Sequence, residues 1–105
     1  MAKISDSSGA KVDLKENKNA TLWRRFSNFE GIPDAPGAFD GYVMFFRLLP
    51  RGADPVEVTN ITVVNNTVEV EFDTTDVPNR CDYVFGWTDP SGKIEVIQYG
   101  MVLIV

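Results

Sequence analysis

Apolar and polar residues alternate over most of this chain with a period of two, the repeat of a half-buried β-strand. From Thr67 to Asp73, Val68, Val70 and Phe72 fall on one side, with Thr67, Glu69, Glu71 and Asp73 on the other. Thr21 to Phe26 sets Leu22, Arg24 and Phe26 against Trp23 and Arg25. Asp82 to Thr88 lines up Tyr83, Phe85 and Trp87 on one face, a structural core stripe. Gly41 to Leu49 is different. Tyr42, Met44, Phe46 and Leu48 share one face and Val43, Phe45, Arg47 and Leu49 the other, so both sides are largely apolar. That pattern predicts a central strand, or a strand with one face covered by a partner. No stretch of useful length carries the 3.6-residue period of a helix.

Turn chemistry separates these runs. Asn65-Asn66 joins Ile61–Val64 to Val68–Phe72, and Asn tolerates the positive φ of a two-residue hairpin. Asp89-Pro90-Ser91-Gly92-Lys93 has Pro at the second turn position and Gly at a left-handed one. Lys11–Leu14 reads as a short edge strand and Val56–Val58 as a bridging strand. Ile94–Val105 is too long for one flat strand, and Gly100 marks the expected bulge or bend. Seven to eight short strands predict an all-β, immunoglobulin-like antiparallel β-sandwich. It forms a single domain over residues 11–105, preceded by a flexible polar segment, residues 1–10. Tyr83, opening the penultimate strand, sits where such sandwiches carry a tyrosine corner, its hydroxyl tying down the preceding loop.

Composition removes most enzyme chemistry. The 105 residues contain no histidine and one cysteine, Cys81. Histidine acid–base catalysis, a Ser-His-Asp triad, an internal disulfide and a structural zinc site are therefore all excluded. Glu69 and Glu71 are a carboxylate pair on one strand face, but an exposed alternating strand makes no sugar cleft. No loop has the dense oxygen spacing of a calcium site. No catalytic residue, metal or cofactor is expected. Net charge is −5. Residues 1–52 hold eight Lys and Arg against six Asp and Glu, a balance of +2; residues 53–105 hold two against nine, a balance of −7. An acidic domain repels phosphate backbones, so nucleic acid is not an expected partner. No apolar run reaches membrane-spanning length, and the N-terminus has no apolar core of a secretion signal.

Two segments are candidates for protein contact. The loop Asn28 to Asp40 carries Phe29, Ile32 and Phe39 in a turn-rich stretch; loop hydrophobes either fold back over the core or meet a partner. The final strand, with Met101, Leu103 and Val105 as interface candidates, either closes its own sheet or adds to a partner's. A different class of function, glycan binding, would use Trp23, Trp87, Tyr42 or Tyr99 as stacking faces.

The strand Tyr-Val-Met-Phe-Phe-Arg, the Val-Asn-Asn-Thr-Val hairpin, the Tyr-Val-Phe-Gly-Trp strand, the Asp-Pro-Ser-Gly-Lys turn and the closing Val-Ile-Gln-Tyr-Gly-Met-Val-Leu-Ile-Val lie within residues 39–105. Together they resemble the small immunoglobulin-like domains of tailed-phage virion proteins, most closely the N-terminal domain of phage baseplate upper proteins. The Asn28–Asp40 loop is outside that pattern. A baseplate upper protein continues into a helical stalk; a copy without one suits a head-decoration protein, a head-fibre base, or a small baseplate or neck subunit. The resemblance implies a non-enzymatic, multi-copy structural protein, assembled in the host cytoplasm and located in the virion. Its partners would be other virion proteins and copies of itself. It transfers no catalytic residue.

Overall fold

The computed structural model describes residues 10–76 and 80–104. Residues 1–9 of the segment expected to be flexible lie outside the described residues, as do Pro78 of the crossover and the interface candidate Val105. Among the described residues nine strands run in chain order: β1 (Ala10–Lys11), β2 (Leu14–Glu16), β3 (Thr21–Ser27), β4 (Val43–Pro50), β5 (Val56–Val58), β6 (Ile61–Val64), β7 (Thr67–Asp73), β8 (Arg80–Thr88) and β9 (Ile94–Ile104). The described residues contain no α-helix, only a 3₁₀ turn at Thr74–Asp76.

The strands form two sheets. In the larger, β9, β8, β4 and β5 are neighbours in that order, and β1 and β2 both lie along the outer side of β9. The smaller has the order β3–β7–β6. This is the strand partition of an immunoglobulin-like sandwich, with β3, β6 and β7 in one layer and β4, β5, β8 and β9, flanked by β1 and β2, in the other. One feature departs from the purely antiparallel expectation: β1 and β2 pair with β9 in parallel. The single edge strand expected at Lys11–Leu14 is thus two short ones, and Ala10 belongs to the first of them.

The alternation in the sequence closes the core. Leu22, Val68 and Val70 from the smaller sheet meet Phe46, Leu48, Tyr83, Phe85, Trp87 and Val102 from the larger, all nearly or fully buried. Phe46 stacks on Tyr83 at 5.3 Å and Phe26 on Phe85 at 4.4 Å between ring centroids. Offset and edge-on contacts of this kind add about 0.5–1.5 kcal/mol each beyond area burial. Cys81 lies in the same layer, and burial raises its thiol pKa, so it behaves as a small hydrophobe.

Two sequence expectations are corrected here. The irregularity of β9 is not at Gly100. The register shifts opposite Phe85 and Gly86, where β9 carries one extra residue, and this bulge turns Ile97 into the core at 1% exposure. Gly100 has another role. A Cβ there would lie 2.3 Å from the Val12 carbonyl oxygen, so the absent side chain lets the N-terminal segment pass close beside β9.

Tyr83 is the second correction. Its hydroxyl does not reach back to the crossover before it. It donates to the Val12 carbonyl, 71 positions earlier, and accepts from Gln98 Nε2 at 2.9 Å. The reason is geometric: Gly100 faces Tyr83 across the ladder, and Val12 runs over that gap. Tyr83 therefore fastens β1 and β2 to the sheet rather than a corner. Burial pushes its phenol above the ordinary value of 10.0. A raised native pKa contributes stability that is whole below the unfolded value and is lost as pH rises through the native one. Tyr83→Phe is expected to cost about 1–2 kcal/mol at neutral pH, because the Val12 carbonyl and Gln98 lose a partner. It should also flatten the alkaline limb of stability above about pH 10. Chemical denaturation of both proteins across pH checks this.

Candidate protein-docking face

The loop after β3 resolves the first open question of the sequence. Asn28 and Gly31 adopt positive φ, turning the chain back toward the sandwich. Asn66, the second residue of the β6–β7 turn, then clamps it. Its Oδ1 accepts from the Phe29 amide at 3.1 Å, and its Nδ2 donates to the Ile32 carbonyl at 2.9 Å. Phe29 and Phe39 end up 2% and 7% exposed, each with its ring centroid 5.1 Å from that of Trp87. Ile32 is partly buried against the same cluster. These loop hydrophobes close the end of the core, so Phe29 and Phe39 are unavailable to a partner.

Of the two alternatives for the final strand, the structure shows the first: it closes its own sheet. β9 is paired on both sides within the chain, with β8 and with β1 and β2. Its outer edge is already taken along Gln98–Tyr99 and Val102–Ile104. Met101 and Leu103 instead contribute side chains, half-buried on the outer face of the larger sheet.

That outer face is the chemically distinctive surface of the molecule. Cross-strand pairing arranges it in rows over β4, β8 and β9: Val43–Thr88–Ile94, Phe45–Gly86–Val96, Arg47–Val84–Tyr99 and Leu49–Asp82–Met101. Eight of these twelve side chains are large and apolar. Val43 is 66% exposed, Ile94 61% and Tyr99 39%. The others are half-buried, except Gly86, which is covered by the ring of Phe45. A shallow groove of about 590 Å³ crosses the lower rows, lined by Lys11, Leu49, Arg51, Asp82, Val84 and Tyr99 among others.

One ion pair lies on this face. Arg47 pairs with Glu57 of β5, and its guanidinium also lies 5.3 Å from the centroid of Phe45. Asp82 shares the groove with Lys11 and Arg51.

The outer face of the smaller sheet is the opposite in character. It presents Arg25, Thr62, Glu69, Glu71 and Asp73, with Trp23 and Val64 as its exposed apolar groups. Arg25 lies 5.1 Å over Trp23 and 3.9 Å from Glu69, and Asn60 donates to Glu71 at 3.2 Å. Glu69 and Glu71 are thus held by neighbours on an open surface.

The aromatic residues considered for sugar stacking are dispersed. Trp87 is 1% exposed and Tyr42 is partly buried beside it. Trp23 and Tyr99 are accessible but lie on the outer faces of different sheets. No two of the four exposed or buried rings make a shared open platform. Among the described residues, no three Cys, Asp or Glu side chains converge to hold a metal ion.

Sequence reasoning missed Val84, Val96 and Ile94 as surface residues. The signal that points to them is the double-sided apolar pattern of β4, which required a partner-covered face as one of its two explanations. Val84, Val96 and Tyr99 complete that face only once the register is known. No protein-family model matches the chain, and neither does any curated protein.

Proposed function

We propose that this domain is a non-enzymatic structural module that docks to other proteins through the outer face of its larger sheet. The role is that of a virion building block: a baseplate, head-decoration or head-fibre-base subunit. The observation that carries the docking reading is the contrast between the two sheet faces. One is apolar over four cross-strand rows, and the other is polar and salt-bridged. Monomeric proteins rarely leave contiguous apolar patches larger than a few hundred Å² in water. The virion half of the proposal rests on the resemblance of residues 39–105.

The test joins both halves. Particles produced by the genome that encodes this chain are expected to contain it in many copies. Val96→Lys is expected to block its incorporation while the isolated domain keeps its melting temperature, since Val96 makes no core contact. Absence of the chain from purified particles would remove the virion assignment. Normal incorporation of the Lys variant would remove this face as the docking surface.

A further inference from the structure

We infer that the open edge of β6 accepts an extended strand of another protein, one that alternates apolar residues with lysine or arginine. This edge is separate from the apolar outer face of the larger sheet.

The hydrogen-bond ladder sets the chemistry of the occupant. β6 ends the smaller sheet and pairs only with β7 among the described residues. Bonded pairs in an antiparallel ladder recur at every second residue. The Asn60 carbonyl accepts from the Glu71 amide at 3.1 Å, and Val64 and Thr67 close the two-residue turn. Asn60, Thr62 and Val64 therefore direct their backbone groups to β7, while Ile61 and Val63 point theirs away from it. The Ile61 amide is taken by the Thr59 carbonyl at 2.9 Å. The Val63 amide and the carbonyls of Ile61 and Val63 remain, aimed outward along the sheet. Such a row is matched in kind by an extended backbone.

Other strand edges are guarded by charge. β1 carries Lys11, β2 Lys15 and Glu16, β3 Arg24 and Arg25, β5 Glu57, and the start of β9 Glu95. β6 reads Ile-Thr-Val-Val, four β-branched residues with no charge, proline or bulge.

A cleft beside this edge receives side chains. Val63 lies opposite the buried Val68 and so faces the core side, yet it is 40% exposed because the sandwich ends there. Across from it, β5 pairs with β4 only from Phe46 to Leu48. The gap is a cleft of about 480 Å³, bordered by Tyr42, Met44, Ile61 and Val63 among others. On an added strand, the residues opposite Ile61 and Val63 enter this cleft, and the one between them faces outward beside Thr62 and Glu69. Charge selects a basic residue there. Around this edge Asp40, Glu57, Glu69, Glu71 and Asp73 outnumber Arg25 and Arg47. A second copy of β6 would bring like charge against like, and a strand bearing lysine or arginine would not.

The probe is the peptide acetyl-Lys-Val-Lys-Val-Lys-amide, titrated into the isotope-labelled full chain and followed by amide NMR. The resonances of Ile61 and Val63 are expected to move, and the Val63 amide to exchange at least ~10-fold more slowly at saturation. The counterpart acetyl-Glu-Val-Glu-Val-Glu-amide is expected to bind at least ~10-fold more weakly. Val63→Pro suits an edge strand but lacks the outward amide, and is expected to abolish binding. Val63→Lys keeps that amide and is expected to repel the basic peptide. Val96→Lys should bind it as the wild type does, which separates this edge from the outer face of the larger sheet. No response at Val63 with millimolar peptide, equal binding of the glutamate peptide, or a wild-type dimer that Val63→Pro dissolves would each overturn the inference.

Discussion

Phe29→Ala is expected to destabilise the domain by about 3–5 kcal/mol, the usual cost of truncating a fully buried aromatic. Phe29 comes from a loop, where such a loss is unusual. Its ring lies edge-on to Trp87 at 5.1 Å and to Phe39 at 5.8 Å, and tilted against Phe85 at 6.2 Å. Truncation leaves a void bounded by three rings that are themselves anchored on strands or in the clamped loop. The site can collapse only by moving the loop, and Asn66 opposes that movement through its bonds to Phe29 and Ile32. Urea unfolding should show a lower midpoint with little change in slope, since the exposed area on unfolding is nearly the same. If Phe29 instead projected to a partner, the variant would keep wild-type stability and lose only assembly. A loss below about 1 kcal/mol would therefore contradict the packing described here.

The contrast between Phe29 and Phe45 shows what was legible in the sequence. Both are aromatic residues outside the expected core stripe. Strand positions, turn positions and the inward face of β7 and β8 follow from period-two alternation, because each strand has one wet and one dry side. A loop has no such period. Whether Phe29 turns inward depends on Asn66, 37 positions away, and nothing in the local sequence signals that bond. Phe45 illustrates the converse limit. The two apolar faces of β4 were evident, yet which face meets the other sheet depends on pairing with β8 and β5. The same holds for β9. Its length announced a bulge, but Gly100 was the wrong position, because glycine serves there for the close passage of Val12. Ile97, an ordinary β-former, takes the bulge because the core needs an apolar side chain at that level.

That close passage makes Gly100 the position where a single methyl group should do the most to the edge of the sheet. Gly100→Ala places a Cβ 2.3 Å from the oxygen and 2.8 Å from the carbon of the Val12 carbonyl. Both are backbone atoms, so no side chain can rotate away. The N-terminal segment has to lift from β9. Lifting breaks the Val12 amide bond to the Tyr99 carbonyl, 2.8 Å, and the bond of Asp13 with the Met101 amide, 3.0 Å. It also strips the Val12 carbonyl from Tyr83 and uncovers Leu14, which is 4% exposed. Losing Leu14 burial costs about 1.5–3 kcal/mol and each hydrogen bond about 1 kcal/mol, for an expected loss of at least ~3 kcal/mol. Hydrogen exchange should locate the damage, with protection lost at Val12 and Met101 and retained across the β4–β8 ladder. A second consequence follows from the exposed edge. With β1 and β2 displaced, β9 offers an unpaired row of amides and carbonyls to other chains. Association of this variant through that edge should therefore accompany the loss of protection at Val12. A Gly100→Ala protein with wild-type melting behaviour and full protection at Val12 would refute the account of how the N-terminal strands are held.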